Sequence, residues 1–457
     1  MRWHVIVVDR KMLLNVQKES FVFILVYLFF ATTLYFFVPK PQGHYDVDSY
    51  GYDPIAWHFA QTGTLTDPNS VNSAPIQPVG YPFVMGVLFT LFGHTITPII
   101  IVQILLMSCA LLLLMHIAST FFNKMIAAIT AFCFLGTIGF YVYPQLILAE
   151  TLLLVVLLLF VERYLTFLKT HDSSALCFSG LFLGISMLIK PVAMLFVVCL
   201  SIITFFAMHH SKIKNILLLL FSFFLPLTMY MTRNYVQYGC FAFAPTAQVN
   251  LYQVLLAKVI GSVEQKDPQE IIETELRFAG KHSLDDQGWQ PAKKIFYTYL
   301  KKHPFTFVRI WFVNVCKTWL GLYSTQLKRL LEPERHKMAH SFFVQSGSLT
   351  QRIHHYIMGG TSHKWVENIT WFELIWSIIR LLLTIVGLYV VFKMNSLIGW
   401  FFVVMMISLS FPTGIDGCCR YRIVFEPILM LLTSVGIWKI VVCYITKKKE
   451  HWYGISW

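Results

Sequence analysis

The chain has 457 residues, of which 56% are hydrophobic and 13% are charged. A soluble domain keeps roughly a quarter of its residues charged, whereas here the charges are gathered into a few polar stretches between long apolar runs. The composition excludes a soluble protein and predicts an all-α, polytopic membrane protein. The net charge of +13 does not indicate nucleic-acid binding, because many of the cations flank apolar runs, where they set orientation and contact anionic lipids.

The apolar runs predict about ten transmembrane helices. The first run follows a basic tail, and Val38-Pro39-Lys40-Pro41 lacks the small residues of a signal-peptide cleavage site, which favours a retained anchor with a cytoplasmic N-terminus. Each run is near the ~20 residues that a bilayer requires. The predicted spans are residues 21–38, 96–118, 125–142, 145–161, two short helices within 175–208, and then 213–231, 371–392, 396–412 and 423–445.

The stretch 175–208 is divided because it is too long for one helix and contains Lys190-Pro191. Proline disfavours continuation of a helix, and lysine is costly at mid-membrane. The division also collects the short basic segments on the cytoplasmic side, as the positive-inside rule requires, with both termini inside. That side then holds the N-terminal tail, Lys124, Arg163, Lys169, Lys212, Lys214, Lys393 and Lys447 to Lys449.

This topology predicts three parts and places two polar regions outside the membrane. The parts are an N-terminal transmembrane module (1–231) with a first outer loop (39–80), a mainly helical outer domain (232–370), and C-terminal transmembrane helices (371–457).

Two apolar segments do not qualify as spans. Residues 81–93 are too few to cross a bilayer and predict a short helix at the outer membrane surface. Residues 305–322 contain Arg309 and Lys317 well inside the run, which favours an interfacial helix over a further span.

Several ionisable residues gather toward the outer ends of the spans. Such residues are functional candidates, because their burial in lipid is costly. Together they predict a polar cavity at the outer leaflet whose cations hold a phosphate or pyrophosphate. The alternative is that they form interhelical ion pairs or reach the interface with long side chains. The residues are Glu150, Lys190, Arg380, Glu426, Arg420 and Arg422.

The first outer loop carries Asp46 and Asp48, two residues apart in His44-Tyr45-Asp46-Val47-Asp48-Ser49-Tyr50. In a strand-like or turn geometry both carboxylates would point the same way, where they could bind a cation or supply a general base. The alternative is an Asp-rich turn that caps a helix beginning near Tyr52.

The outer domain has His336 and His340 at i and i+4, with Glu332 and Glu334 nearby. On a helix both imidazoles would share one face, as metal ligands can. The H-E-x-x-H motif is absent and the surroundings are strongly charged, so the pattern favours a solvated face and predicts no metal site.

The order of short motifs along the chain resembles the GT-C membrane glycosyltransferases, in particular the branch with protein O-mannosyltransferases and lipid A aminoarabinose transferases. Most motifs are two or three residues long, and their order, spacing and membrane side carry the resemblance. They are Asp48-Ser49-Tyr50 with Ala56 and Gly63, Gly80-Tyr81-Pro82 with Leu91-Phe92-Gly93, Ala149-Glu150-Thr151, Leu188-Ile189-Lys190-Pro191, Arg233-Asn234-Tyr235 with Gly239, and Arg420-Tyr421-Arg422 with Pro427.

This resemblance implies a GT-C-like fold and sugar transfer on the non-cytoplasmic side from a polyprenyl-phosphate-linked donor to a lipid, glycan or protein acceptor. The catalytic carboxylate of the family's first outer loop maps to Asp48, with Asp46 as the nearest substitute. Glu150 would orient a cation or assist with the acceptor, and the helix beginning at Tyr81 would form one wall of the donor groove. The donor-phosphate cations would be Lys190, Arg233, Arg420 and Arg422.

No metal or other cofactor is required if cations already surround the departing phosphate. Participation of a divalent cation is the alternative. The chain is shorter than many members and has fewer spans after the outer domain, which leaves the acceptor class undefined. A bacterial cytoplasmic membrane with the large loop outside is expected, and an endoplasmic reticulum membrane follows the same topology rule.

Three other functions remain open at this stage. An outer-face polysaccharide polymerase or ligase would have a similar topology and depend on arginines rather than on a carboxylate. A transporter or lipid flippase would need a charged path through both leaflets, whereas these charges favour the outer one, and no internal repeat is found. A scaffold without catalysis would tolerate changes at Asp48.

Overall fold

The computed structural model describes residues 10–40, 42–68, 77–192, 194–208, 210–276, 286–334 and 348–445. These residues are 82% helical and contain no strand. The all-α polytopic fold that the composition predicts is therefore confirmed.

The N-terminal part contains ten α-helices among the residues described. Short 3-10 turns at Gln42–His44 and Tyr143–Gln145 precede α2 and α7. The helices are α1 (Arg10–Phe37), α2 (Ser49–Thr62), α3 (Gly80–Phe92), α4 (Thr97–Phe121), α5 (Lys124–Leu135), α6 (Gly139–Val142), α7 (Glu150–Thr170), α8 (Ser173–Ile189), α9 (Met194–Ala207) and α10 (Lys212–Tyr238).

The region predicted to lie outside is mainly helical, and four more helices complete the chain. A turn at Thr246–Gln248 and a π-helix at Val249–Leu255 lead into the first outer helix. The remaining helices are α11 (Leu256–Glu264), α12 (Pro268–Thr274), α13 (Gln290–Lys302), α14 (Pro304–Leu320), α15 (Ser324–Leu331), α16 (Leu349–Met358), α17 (Lys364–Met394), α18 (Ser396–Ser410), α19 (Cys419–Arg422) and α20 (Glu426–Ile445).

Seven of the described helices are long and apolar enough to cross a membrane: α1, α4, α7, α10, α17, α18 with its 3-10 extension, and α20. An eighth span would combine α5 with α6 and the following turn, which are bent by 65°. The predicted span 125–142 is thus not one straight helix, because α5 ends at Leu135 and Gly136 follows it. Together with the shorter α8 and α9, these helices occupy the ranges in which the sequence predicts ten spans.

The break between α8 and α9 lies at Lys190-Pro191. Helix α8 ends at Ile189, and Lys190 has extended backbone angles of −155° and 127°. A residue before proline is pushed out of the helical region, and proline cannot donate the next helical hydrogen bond. The break therefore leaves Lys190 at a helix end, with its side chain free to turn toward neighbouring elements.

Glycines let two pairs of helices approach closely. A Cβ at Gly184 of α8 would overlap the carbonyl oxygen of Phe223 in α10, and one at Gly387 of α17 would overlap that of Leu432 in α20. Small residues at such crossings are typical of helix packing in membranes, where close van der Waals contact replaces the hydrophobic effect. One core cluster contains residues from α1 through to α20, while buried residues of α11, α12 and α14 form a separate, smaller cluster.

The outward faces of the long helices are strongly apolar. Phe29 and Phe36 of α1, Phe221 of α10 and Ile385 of α17 are each more than 60% exposed. A soluble protein could not leave so much contiguous apolar surface in water, and acyl chains cover such a surface in a bilayer. The chain is an integral, multi-pass membrane protein.

Candidate active site

Four charged side chains that are far apart in sequence converge into one cluster. The Glu150 Oε1 atom accepts from Lys190 Nζ at 2.6 Å and from Arg420 Nε at 2.5 Å. The Nη2 group of Arg420 also pairs with the Asp48 carboxylate. We call Asp48, Glu150, Lys190 and Arg420 the charged cluster. The sequence predicts all four as candidates, and the structure brings them together.

Asp48 is placed by the turn that begins α2. It stands at the N-cap position, but its side chain makes no capping hydrogen bond and turns to Arg420 instead. The Ser49 hydroxyl donates to the Ile147 carbonyl at 2.8 Å, and Ile147 N–H donates to the His44 carbonyl at 2.9 Å. The first outer loop is therefore hydrogen-bonded to the segment just before Glu150.

His44 strengthens this attachment. Its Nδ1 lies 2.6 Å from the Gln145 carbonyl, and the ring is fully buried. Burial lowers the pKa of His44, so the neutral ring is favoured with its proton on Nδ1, the nitrogen that donates to the carbonyl. The loop thus gains a further contact without adding charge beside the cluster.

The members of the charged cluster differ in exposure. The Glu150 side chain is 1% exposed, Arg420 8%, Lys190 16% and Asp48 27%. Burial disfavours the charged form of Arg420, but the carboxylates of Glu150 and Asp48 outweigh this and hold the pKa of Arg420 well above its usual range. Buried charges require such pairing, because an unpaired charge loses its solvation without compensation.

The ring of Tyr421 covers the cationic side of the cluster. Lys190 Nζ lies 4.8 Å from its centroid, and the guanidinium carbon of Arg420 lies 5.7 Å from it. An aromatic face attracts a cation through its quadrupole. This ring therefore helps to hold both cations on one side of Glu150.

Asp46 does not join the charged cluster. Its Oδ2 pairs with Arg329 Nη1 of α15 at 2.7 Å, and Arg329 Nη2 donates to the Tyr45 carbonyl at 3.4 Å. The Asp46 N–H donates to the Ser49 hydroxyl at 2.8 Å. The carboxylates of Asp46 and Asp48 therefore pair with two different arginines.

Arg422 lies in a second buried network. Its Nε donates to Glu426 Oε2 at 2.8 Å and its Nη1 to the Trp319 carbonyl at 2.5 Å, while Glu426 also pairs with Arg380. The Tyr323 hydroxyl donates to the same Glu426 oxygen at 2.9 Å. This geometry joins α14, α17 and α20, as an interhelical ion-pair network does, and places Arg422 apart from Glu150.

Two other candidates, Arg233 and Tyr81, do not pair with any member of the charged cluster. Arg233 Nη2 donates to the Leu65 carbonyl at 2.5 Å, which ties the end of α10 to the first outer loop. Tyr81 is buried in α3 and donates to Gln103 Oε1 at 2.9 Å. The Gln103 amide donates in turn to the Pro144 carbonyl at 3.0 Å, so α3 is fixed to the segment that leads into α7.

The sequence interpretation missed Gln103 and Arg329 as supports of the site. Gln103 is a polar residue inside an apolar run, and that signal was available, since such a residue needs partners in the membrane. Arg329 gives no such signal, because a basic residue in a polar outer region is ordinary.

Among the described residues, no group of three or more His, Cys, Asp or Glu side chains is arranged to hold a metal ion. His336 and His340 lie outside the described residues. Glu332 is described, and it accepts from the backbone N–H of Ser362 at 2.7 Å.

Comparison with known proteins shows what the chain resembles. Residues 76–233, about a third of the chain, match the family model described as dolichyl-phosphate-mannose-protein mannosyltransferase. An oligosaccharyltransferase of Archaeoglobus fulgidus, solved with a tethered acceptor peptide containing the NVT sequon, aligns with 94% of this chain at a TM-score of 0.51 and 13% identity. In fold, the chain is similar to the GT-C superfamily of membrane glycosyltransferases. Members of this superfamily transfer sugars from polyprenyl-phosphate donors to acceptors.

Two further solved structures are similar to this chain. The archaeal oligosaccharyltransferase AglB from Archaeoglobus fulgidus, in complex with an inhibitory peptide and a dolichol-phosphate, aligns with 96% of the chain at a TM-score of 0.49 and 13% identity. ArnT from Cupriavidus metallidurans, bound to undecaprenyl phosphate, aligns with 93% of this chain and 79% of its own at a TM-score of 0.37 and 12% identity.

The chain spans 52% and 51% of the two archaeal oligosaccharyltransferase chains. Its sequence matches none of the curated proteins with which it was compared.

Proposed function

We propose that this chain is a GT-C glycosyltransferase that transfers a sugar from a polyprenyl-phosphate-linked donor to an acceptor on the non-cytoplasmic side of a membrane, with Asp48 as the general base. The observation that carries the proposal is Arg420, which bridges Asp48 and Glu150 while Lys190 pairs with the same Glu150. One carboxylate at the edge of the cluster and two cations behind it are the groups that this reaction needs.

The reaction assigns a role to each member of the cluster. Asp48 takes the proton of an acceptor hydroxyl as its oxygen attacks the anomeric carbon of the sugar. The bond between that carbon and the phosphate oxygen breaks, and the electron pair leaves with the polyprenyl phosphate. Lys190 and Arg420 stabilise the negative charge that collects on the phosphate.

Exposure supports this division of roles. A general base must contact the acceptor and exchange its proton, and Asp48 is the most exposed of the four, at 27%. Glu150, at 1%, is closed to an acceptor and acts as a positioning residue that holds both cations. A phosphate drawn to Arg420 would compete with Asp48 for its N–H groups and thereby release the base.

The other candidates receive supporting roles. Asp46, held by Arg329, fixes the loop that carries Asp48. Arg233 fixes the far end of that loop, and Tyr81 fixes the helix α3, which forms one wall of the donor groove. Arg422 joins spans through Glu426. The outer domain (232–370) would contact the acceptor, and a bacterial cytoplasmic membrane is the expected location.

The decisive experiment measures sugar transfer in membranes from a panel of radiolabelled polyprenyl-phosphate sugars, with Asp48→Asn compared with Asp46→Asn. Loss of a positioned general base costs about 10²- to 10⁴-fold in rate. We expect that loss for Asp48→Asn and less than about 10-fold for Asp46→Asn, because only the former touches Arg420.

The other outcomes discriminate among functions. Transfer that survives in Asp48→Asn would refute Asp48 as the base. Dependence on Arg420 with Asp48 dispensable would favour an outer-face polymerase or ligase, and absence of transfer from every donor would favour a transporter or flippase.

A further inference from the structure

The loop that delivers Arg420 to the charged cluster is held by a helix of the outer region. Nδ2 of Asn314 in α14 donates to the Gly414 carbonyl at 3.0 Å and to the Ile415 carbonyl at 3.1 Å. The Asn314 side chain is buried, with the whole residue 3% exposed. Both of its donors are therefore used on consecutive carbonyls of one loop.

The same loop is in direct backbone contact with α14. A Cβ at Gly417 would overlap the carbonyl group of Asn314. Lys258 of α11 adds a third donor, which lies 3.2 Å from the Ile415 carbonyl, and pairs with Asp416. The outer region thus fixes residues 414–417 from two helices.

The distance along the chain from this contact to the charged cluster is short. Only Cys418 and Cys419 separate Gly417 from Arg420, and three residues reach at most about 10 Å when fully extended. Cys419 is buried and packs against the end of α14, since its Cβ lies 3.1 Å from the position that a Cβ on Gly321 would take. Residues 414, 415, 417 and 419 thus all contact α14 or its end, and Arg420 follows directly after them.

We propose that Asn314 is a positioning residue for Arg420 and sets how its guanidinium meets the donor phosphate. The inference rests on the proposed function, because it takes Arg420 as a ligand of that phosphate. It adds that the outer region controls donor binding through α14, in addition to any contact with the acceptor.

The test is a double-mutant cycle on the binding of undecaprenyl phosphate to the full chain in lipid nanodiscs. Asn314→Ala is made in the wild-type and in the Arg420→Lys background. We expect about 10-fold weaker binding in the wild-type background and less than about 2-fold in the Arg420→Lys background, because coupled residues are not additive.

The chain offers a matched control in Asn234. Its amide also donates to two consecutive carbonyls, those of Ala242 and Phe243, both at 2.9 Å, and it is fully buried. Asn234→Ala removes the same pair of bonds from a segment that does not lead to Arg420, together with the bond that Asn234 accepts from Arg233 at 2.9 Å. Its effect on binding, of whatever size, should be equal in the two backgrounds.

A second variant covers the case in which Asn314→Ala does not fold. Lys258→Met removes the more exposed donor to the same loop and should show the same coupling to Arg420→Lys, with about a 3-fold effect. An equal loss in both backgrounds for Asn314→Ala, or for Lys258→Met in its place, would overturn the inference while leaving the proposed function intact. A wild type that neither binds undecaprenyl phosphate nor transfers sugar would overturn both.

Discussion

Glu150→Gln tests whether the charged cluster depends on its most buried member. The substitution keeps the shape of the side chain and removes one negative charge. The cluster then has two cations, Lys190 and Arg420, and a single carboxylate, Asp48. The carbonyl oxygen of the new amide can still accept one hydrogen bond, but the Lys190 ammonium, at 16% exposure, loses its charged partner.

The magnitude follows from the burial of the pair. Removing one partner of a buried ion pair costs about 3–5 kcal/mol, because the other charge stays desolvated. Arg420 keeps Asp48, so we expect the lower end, about 3 kcal/mol. Adding Lys190→Met to Glu150→Gln removes the excess positive charge and should recover about 1–2 kcal/mol of stability.

The measurement is the free energy of unfolding in mixed detergent and SDS micelles. Glu162→Gln is the matched control, because Glu162 is a largely buried carboxylate on the same helix. Its partner Arg163 is 45% exposed, so loss of this ion pair should cost about 0–1 kcal/mol of stability. The reasoning fails if Glu150→Gln costs no more than this control, or if the double variant is no more stable than Glu150→Gln alone.

Three further predictions concern other parts of the fold. Burial lowers the pKa of Lys328 from 10.5 to about 8. Between these two pH values the unfolded chain binds more protons than the folded chain, so the free energy of unfolding should rise with pH. Lys328→Met should remove that rise when unfolding is measured from pH 7 to 11. Gly417→Ala should reduce sugar transfer by at least about 10-fold, because the new Cβ would overlap a backbone oxygen of α14; wild-type transfer by this variant would contradict the packing. Glu426→Gln leaves Arg380 and Arg422 buried without their carboxylate and should lower the free energy of unfolding by about 3–5 kcal/mol. The yield of folded protein should fall accordingly. An unchanged yield and an unchanged unfolding midpoint would contradict the role of that network.

The sequence could predict the class of protein and the helix break at Lys190. Long apolar runs and sparse charge can only describe a chain in lipid, and the lysine–proline pair interrupts its run for local steric reasons. The four members of the charged cluster could be selected as candidates from their side of the membrane. The contacts among them could not be predicted, because each contact joins residues at least 40 positions apart.

The sequence interpretation assigned Arg420 and Arg422 the same role, whereas the structure places them in two different networks. Residues two apart on a helix point in nearly opposite directions, and the single turn α19 carries both. One side chain therefore turns to Glu150 and the other to Glu426. Sequence alone does not show that these residues are helical, since a four-residue helix between two spans gives no periodic pattern.

The positions of the charged cluster also explain how the fold tolerates it. Asp48 precedes the first residue of α2, Glu150 is the first residue of α7, and Lys190 follows the last residue of α8. Helix N-termini favour negative charge and C-termini favour positive charge, by about 0.3–1 kcal/mol each and up to about 2 when partly buried. All three residues have the favoured sign, so the helix ends offset part of the desolvation cost that the ion pairs must otherwise carry. A cluster moved one turn into the apolar helix α7 or α8 would lose that support, so its position at the helix ends lowers the cost of burying these charges.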